Sequence, residues 1–256
     1  MGVINVTPDS FSDGGRFFGR DLALAQAEQM VADGVDMLDL GAESTRPGAV
    51  AVSATEELDR LGEVLEGLRG ISVPLSLDTS SPEVMREGLR LGVSLINDVR
   101  ALQRPGALEF LVENPVAVCL MHMQGEPGQM QSAPVYAEVV DEVEAFLLAR
   151  AQVCLAVGLP ASAIAIDPGF GFGKTFAHNH ALFKALPRLA GHGFPVLAGV
   201  SRKRMIGDLT GQSSPMERDA GSLAAHVMAL DRGARILRVH AVKPTVDAVR
   251  VWAGLQ

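Results

Sequence analysis

The chain has 256 residues, 48% of them hydrophobic, which suits one large barrel or two small domains and excludes a disordered chain. A formal net charge of -8 with no basic run argues against nucleic-acid binding through phosphate neutralisation. A single Trp and a single Tyr argue against a stacking platform for single strands.

No apolar run is long enough to cross a bilayer, and no secretion signal is visible at the N-terminus. Two cysteines, Cys119 and Cys154, lie in apolar segments and read as buried free thiols, with neither a disulfide framework nor a zinc site. Together these features point to the cytoplasm.

A rhythm of short apolar run, polar stop, loop and amphipathic stretch repeats along the chain. Residues 2–5 form the first run, which stops at Asn5 before the polar loop VTPDSFSDGG, and helical spacing follows over 20–32. Residues 37–40 form the second run, followed by Gly41 and the loop AESTRPGA. A helix is predicted over 53–68, with Ser53 as its cap and Glu56 three residues on. The third run, 73–77, stops at Asp78, and Pro82 opens another helix, for which Asp78 is also a candidate cap.

Residues 93–96 then stop at Asn97 and Asp98, and 116–121 lead into His122 and the loop MQGEPGQMQ. A long helix is predicted over 136–157, and a strand over 163–167. Residues 195–200 run into Ser201, Arg202, Lys203 and Arg204. The last run, 235–239, carries Arg238 and stops at His240 before a final helix reaching Trp252. About eight strand–helix units in this length predict a single-domain α/β protein, a (β/α)8 TIM barrel over 1–256. An open doubly wound sheet is the alternative. The strands are apolar without alternation, as in a parallel sheet covered on both faces.

The stretch AIAIDPGFGFGKT concentrates the chemistry. An apolar strand ends in Asp167, and Pro168 with Gly169, Gly171 and Gly173 keeps the strand from continuing. The P-loop pattern fails because Pro168 stands where its first glycine belongs, and the dinucleotide fingerprint fails because Lys174 replaces its last glycine. Beyond this loop, Asn5, Asp39, Asp78, Asn97 and His240 also fall at or near the carboxyl ends of predicted strands, which converge on one face of a barrel. That many buried polar groups in an apolar barrel read as a site.

These residues sit in blocks that resemble the dihydropteroate synthases: MGVINVTPDSFSDGG, LDLGAESTRPGA, PLSLDTSSPEV, LINDVRAL, CLMHMQG, IAIDPGFGFGKT, LAGVSRKRMIG and RVHAVKPTV. The resemblance spans nearly the whole chain. It implies a (β/α)8 barrel that condenses a dihydropterin-CH2-pyrophosphate with p-aminobenzoate, releasing pyrophosphate. Asp167 is then the pterin anchor, because a carboxylate accepts both hydrogen bonds of a flat amidine-like edge. Asn97 serves the opposite side of the ring, with Met121 and Phe172 against its faces. Asp78 stabilises the positive charge that develops as pyrophosphate departs.

The resemblance further gives Arg46, Arg238 and His240 to the pyrophosphate, and Asn5 to a Mg²⁺ ion. Lys203 bridges the pterin to an aminobenzoate pocket lined by Thr45, Pro47 and Ser201. Asp9 and Phe11 belong to a closing loop, with Gly14, Gly15 and Gly48 giving the loops room to reorder. A homodimer is implied by the family alone. His178 and His180 read as surface histidines, since residues two apart do not share a helical face.

Two departures stand out: Ala42 where the family commonly has a second glycine, and Ala241 where it commonly has an aspartate. The chain also begins almost inside its first strand. A methyltetrahydrofolate–corrinoid methyltransferase is the alternative enzyme, but it has no need of the Arg46, Arg238 and His240 set. A catalytically silent barrel is the non-enzymatic alternative, and it predicts losses at strand-end positions that are all occupied here.

Overall fold

The computed structural model describes residues 1–6, 15–43, 52–125, 130 and 134–256, and for 15–18 the backbone alone. Among them, eight strands lie side by side in chain order: β1 (Gly2–Asn5), β2 (Leu38–Gly41), β3 (Leu75–Asp78), β4 (Val93–Asp98), β5 (Ala117–Met121), β6 (Ile164–Asp167), β7 (Val196–Ala198) and β8 (Ala234–Leu237). Every neighbouring pair is parallel. Gly2 bridges to Val239, and Val3 N–H donates to Val239 O at 3.0 Å, so the sheet closes on itself. This is the predicted barrel, and the open sheet is excluded.

Helices α1 (Gly15–Ala32), α2 (Ala54–Gly67), α3 (Pro82–Arg90), α4 (Ala107–Glu113) and α5 (Val139–Ala156) follow the first five strands. The sixth strand is followed by α6 (Phe176–Lys184) and α7 (Leu186–Ala190), the seventh by α8 (Arg204–Thr210) and α9 (Asp219–Asp231), and the eighth by α10 (Val242–Gly254). Gly15, expected in a reordering loop, instead opens α1. The helix predicted from 136 begins at Val139, where the Glu142 carboxylate accepts the Ala137 and Glu138 N–H groups at 2.7 and 3.0 Å.

Local caps set two of the boundaries. Ser53 Oγ accepts the Glu56 N–H at 3.2 Å at the start of α2, as its spacing predicts. At α3 the cap is Ser81, accepting from Val84 N–H with Pro82 in the first turn, so Asp78 does not cap this helix.

Residues two apart on a strand face the same side of the sheet, and this decides where the site lies. Leu95, Cys119, Ala165 and Leu197, with Met37, Ala117 and Ile236, form an apolar plug inside the barrel, separate from the larger core between strands and helices. Two residues further along these strands, the inward positions are Asp39, Asn97, Met121, Asp167, Gly199 and Arg238. The barrel therefore has an apolar floor and a polar upper layer. Outside it, Phe110 of α4 is fully buried in the main core. We predict that Phe110→Ala lowers the unfolding free energy by about 3–5 kcal/mol, read as a lower urea midpoint at unchanged slope.

Candidate active site

Five side chains in and beside the upper layer are joined by one network. Arg238 donates from Nε to Asp39 Oδ2 at 2.6 Å and from Nη2 to Asp78 Oδ2 at 2.9 Å. Asn97 Nδ2 donates to the same Asp39 oxygen at 3.2 Å, and Ser76 Oγ donates to Asp39 Oδ1 at 2.5 Å. Gly41 makes room here, since a Cβ on it would lie 3.3 Å from the Asp78 Cβ. Burial pushes the Asp78 carboxyl up to about 7; Arg238 opposes this, and the charges of Asp39, Glu57 and Asp98 reinforce it. Burial disfavours the Arg238 charge too, but the two carboxylates outweigh it and hold the guanidinium more firmly protonated than usual.

Asp167 ends β6 beside this network. Its Oδ1 accepts the Gly169 N–H at 2.7 Å, its one hydrogen bond among the described residues. Burial raises it to about 6, against the pull of that N–H and of Lys203, Lys174 and Arg238. The glycines that follow are required by geometry. Gly169 has φ 69°, and a Cβ there would stand 2.0 Å from the His122 carbonyl oxygen. So closely apposed, the loops after β5 and β6 meet around Lys174.

Lys174 is buried and turned inward. Its ammonium donates to Phe172 O at 2.9 Å, to His122 O at 3.2 Å and to His122 Nδ1 at 3.0 Å. His122 accepts as a neutral ring, since burial and then the adjacent Lys174 lower it to about 3. Burial lowers Lys174 to about 7 despite the nearby Asp167. This lysine is a strut between two loops, its ammonium engaged by His122 and the Phe172 carbonyl. Over the strut, Met121 and Phe172 pack with Val99 and Met130 in a small apolar cluster, and Lys203 Nζ sits 4.2 Å above the Phe172 ring. Burial lowers Lys203 to about 8.

The turn after β7 separates the residues of the SRK motif. Arg202 takes φ 57° and points away, paired with Asp219 at 2.6 and 2.8 Å. Ser201 faces His240: its Oγ accepts the His240 N–H at 3.2 Å and lies 2.9 Å from Nδ1. With the hydroxyl turned to Nδ1, the proton of the neutral ring is assigned to Nε2. Burial, then Arg202, Arg238 and Lys203, lower His240 to about 4. Asn5, half-buried, ends β1.

The structure thus gathers Asp78, Asn97, Met121, Asp167, Phe172, Lys203 and Arg238 into or beside one layer. Thr45, Arg46 and Pro47, with Asp9, Phe11, Gly14 and Gly48, lie outside the described residues. His180 is exposed, and His178 completes a capping box with Thr175 at the start of α6, away from any metal role. Among the described residues no three His, Cys, Asp or Glu side chains group to hold a metal. Sequence reasoning gave no role to Lys174 as a strut or to Asp39 as the centre of the network. The signal for Asp39 was available: a carboxylate at an inward position of an apolar strand must find donors.

Chemically, the layer offers one under-donated carboxylate beside an aromatic–methionine slot, a shared carboxylate at the carboxyl end of β3, and donors beside it. That suits a flat heterocycle with an N–H edge and a charged tail.

A family model described as "Pterin binding enzyme" matches residues 1–240. The dihydropteroate synthase of Neisseria meningitidis serogroup C is 50% identical over 259 residues, covering 100% of this chain and 92% of the relative. That of Escherichia coli strain K12 is 47% identical over 252 residues, with 98% and 89% covered. Among solved structures, the Xanthomonas albilineans dihydropteroate synthase with 4-aminobenzoic acid superposes with a TM-score of 0.94 at 50% identity, covering 100% of this chain and 92% of that one. The same enzyme in complex with 7,8-dihydropteroate gives 0.91 at 47% identity, covering 100% and 92%.

Because Gly169 is fixed by both its backbone angle and a carbonyl contact, we predict that Gly169→Ala destabilises the protein by about 3 kcal/mol, read from its urea midpoint.

Proposed function

The chain belongs to the dihydropteroate synthases among the pterin-binding enzymes, and on that premise we propose a division of labour among its strand-end residues. The reaction joins 6-hydroxymethyl-7,8-dihydropterin pyrophosphate to p-aminobenzoate, giving 7,8-dihydropteroate and pyrophosphate. The observation that carries the division is the contrast between carboxylates: Asp39 and Asp78 are held by Arg238, whereas Asp167 accepts a single backbone N–H. Asp167 keeps acceptor capacity for the pterin's amide N–H and exocyclic amine. Asn97, its Nδ2 committed to Asp39, presents its carbonyl oxygen and second N–H to the ring. Met121 and Phe172 cover the faces, and Lys203 links the ring to the aminobenzoate side.

The methylene–oxygen bond of the pterin ester breaks with its electron pair leaving on pyrophosphate, and the arylamine nitrogen attacks the methylene and then loses a proton. Positive charge develops beside Asp78, whose carboxylate, only partly neutralised by a shared guanidinium, stabilises it. Arg46, the remaining amino group of Arg238 and the Nε2–H of His240 hold the departing diphosphate. Thr45, Pro47 and Ser201 line the aminobenzoate pocket.

Mg²⁺ is assigned to the mouth, with Asn5 as its protein ligand. The donor chemistry fits, because the side-chain oxygen of Asn5, half-buried at the end of β1, suits an ion otherwise completed by phosphate oxygens and water. When bound, the ion offsets the charge of the pyrophosphate. A homodimer in the cytoplasm completes the proposal. It is supported by exposed Leu209, Met216 and Met228, carried on α8, the turn after it and α9, elements that pack against one another.

Pyrophosphate release should require both substrates together; release with the pterin ester alone at the same rate contradicts the reading. His240→Ala should raise the KM for the pyrophosphate ester by about tenfold and leave that for p-aminobenzoate within about twofold.

A further inference from the structure

Asp39 is fully buried, one pleat below the end of β2, so substrate does not reach it. Yet three strands converge on its carboxylate: Ser76 from β3, Asn97 from β4 and Arg238, just beyond β8. Two of these three donors are residues to which the synthase reading gives substrate contacts. Across the β2–β3 pair Asp39 stands directly opposite Ser76, so the Ser76 bond fixes one oxygen and turns the other toward Arg238 and Asn97.

We propose that Asp39 is a positioning residue for the synthase reaction, which sets the orientation of Asn97 and divides the Arg238 guanidinium between itself and Asp78. The proposal rests on the synthase reading. Asp39 is an acceptor only, so the Asn97 amide must turn its nitrogen down to it, and this decides which edge of that amide faces the ring. The guanidinium matters more. Arg238 forms a fork that fits one carboxylate with two parallel bonds, and such a pairing with Asp78 alone would neutralise the charge facing the developing cation. Asp39 takes Nε for itself and leaves Asp78 a single contact through Nη2. Two carboxylates share one cation, and the net negative charge stays at the top of the barrel, where the pyrophosphate departs.

The test is steady-state kinetics with both substrates from pH 5 to 9 on the wild-type chain, Asp39→Asn and Ser76→Ala. The groups facing Asp78 are Arg238, Asp39, Glu57 of α2, Asp98 of β4 and Lys203. Asp78 acts as the carboxylate and is raised to about 7 in the free chain, so wild-type kcat/KM for the pyrophosphate ester climbs with pH through that region. Removing the Asp39 charge takes away one cause of the rise and frees Arg238 for Asp78; both move the limb to lower pH. Asp39→Asn should cut kcat by about 100-fold, change KM for p-aminobenzoate little, and shift the limb downward. Ser76→Ala should cut kcat by about tenfold with a smaller shift in the same direction. Glu57 is raised to about 7 as well, so the series is repeated on a Glu57→Gln background.

Wild-type values of kcat and limb in either folded variant overturn the proposal, as does a loss of kcat with the limb unmoved. If Asp39→Asn does not fold, Ser76→Ala decides. A wild-type chain that fails to turn over the two substrates refutes the synthase reading as a whole, whereas wild-type turnover with unaffected variants refutes only the role of Asp39.

Discussion

A carboxylate inside a barrel must find donors or surrender its charge, and the upper layer of this protein is arranged around that constraint. Asp39 accepts from Ser76, Asn97 and Arg238, and Asp78 takes the other arm of the same guanidinium. Asp167 has one backbone N–H. Their different states of satisfaction separate three chemically identical groups into a positioning role, an electrostatic role and a ligand anchor. Environment rather than residue type does the sorting.

The barrel makes the sorting possible by geometry alone. Period-two alternation puts Met37, Leu95, Cys119, Ala165, Leu197 and Ile236 on the floor and Asp39, Asn97, Met121, Asp167, Gly199 and Arg238 above them. The apolar floor removes water from beneath the charges and raises both Asp78 and Asp167. Glycines at Gly41 and Gly199 leave the volume that side chains would fill. Around the rim, Lys174 ties the loop carrying Phe172 to His122, so the slot beside Asp167 has a fixed wall.

Much of this was legible in the sequence because strand ends are marked locally. Asp167 is betrayed by an apolar run before it and Pro-Gly after it, and Asn5, Asp78 and Asn97 by similar breaks. The helix start at Ser53 was readable from its spacing to Glu56. Partnerships across the barrel were not readable. Arg238 and Asp39 are 199 positions apart, and nothing local tells a strand-end arginine that its first partner is a buried acid rather than a phosphate. Lys174 misled in the other direction, since Gly-Lys-Thr has the look of a phosphate loop until the inward turn of its ammonium is seen. The helix boundaries at Gly15 and Val139 failed for a smaller reason: one was set by a loop glycine that also begins a helix, the other by Glu142 reaching back to the N–H groups before the helix.

The under-donated state of Asp167 is the claim on which the substrate reading turns, and pterin affinity measured by calorimetry between pH 5 and 7 tests it directly. Raised to about 6, this group becomes a carboxylate across that interval, so affinity for 6-hydroxymethylpterin should strengthen as pH rises and then level off. In Asp167→Asn the dependence centred near pH 6 should be lost, leaving only the rise toward pH 7 that Asp78 contributes, and affinity should fall by about 2–5 kcal/mol. An affinity flat with pH in the wild-type chain, or unchanged in the variant, would contradict the account.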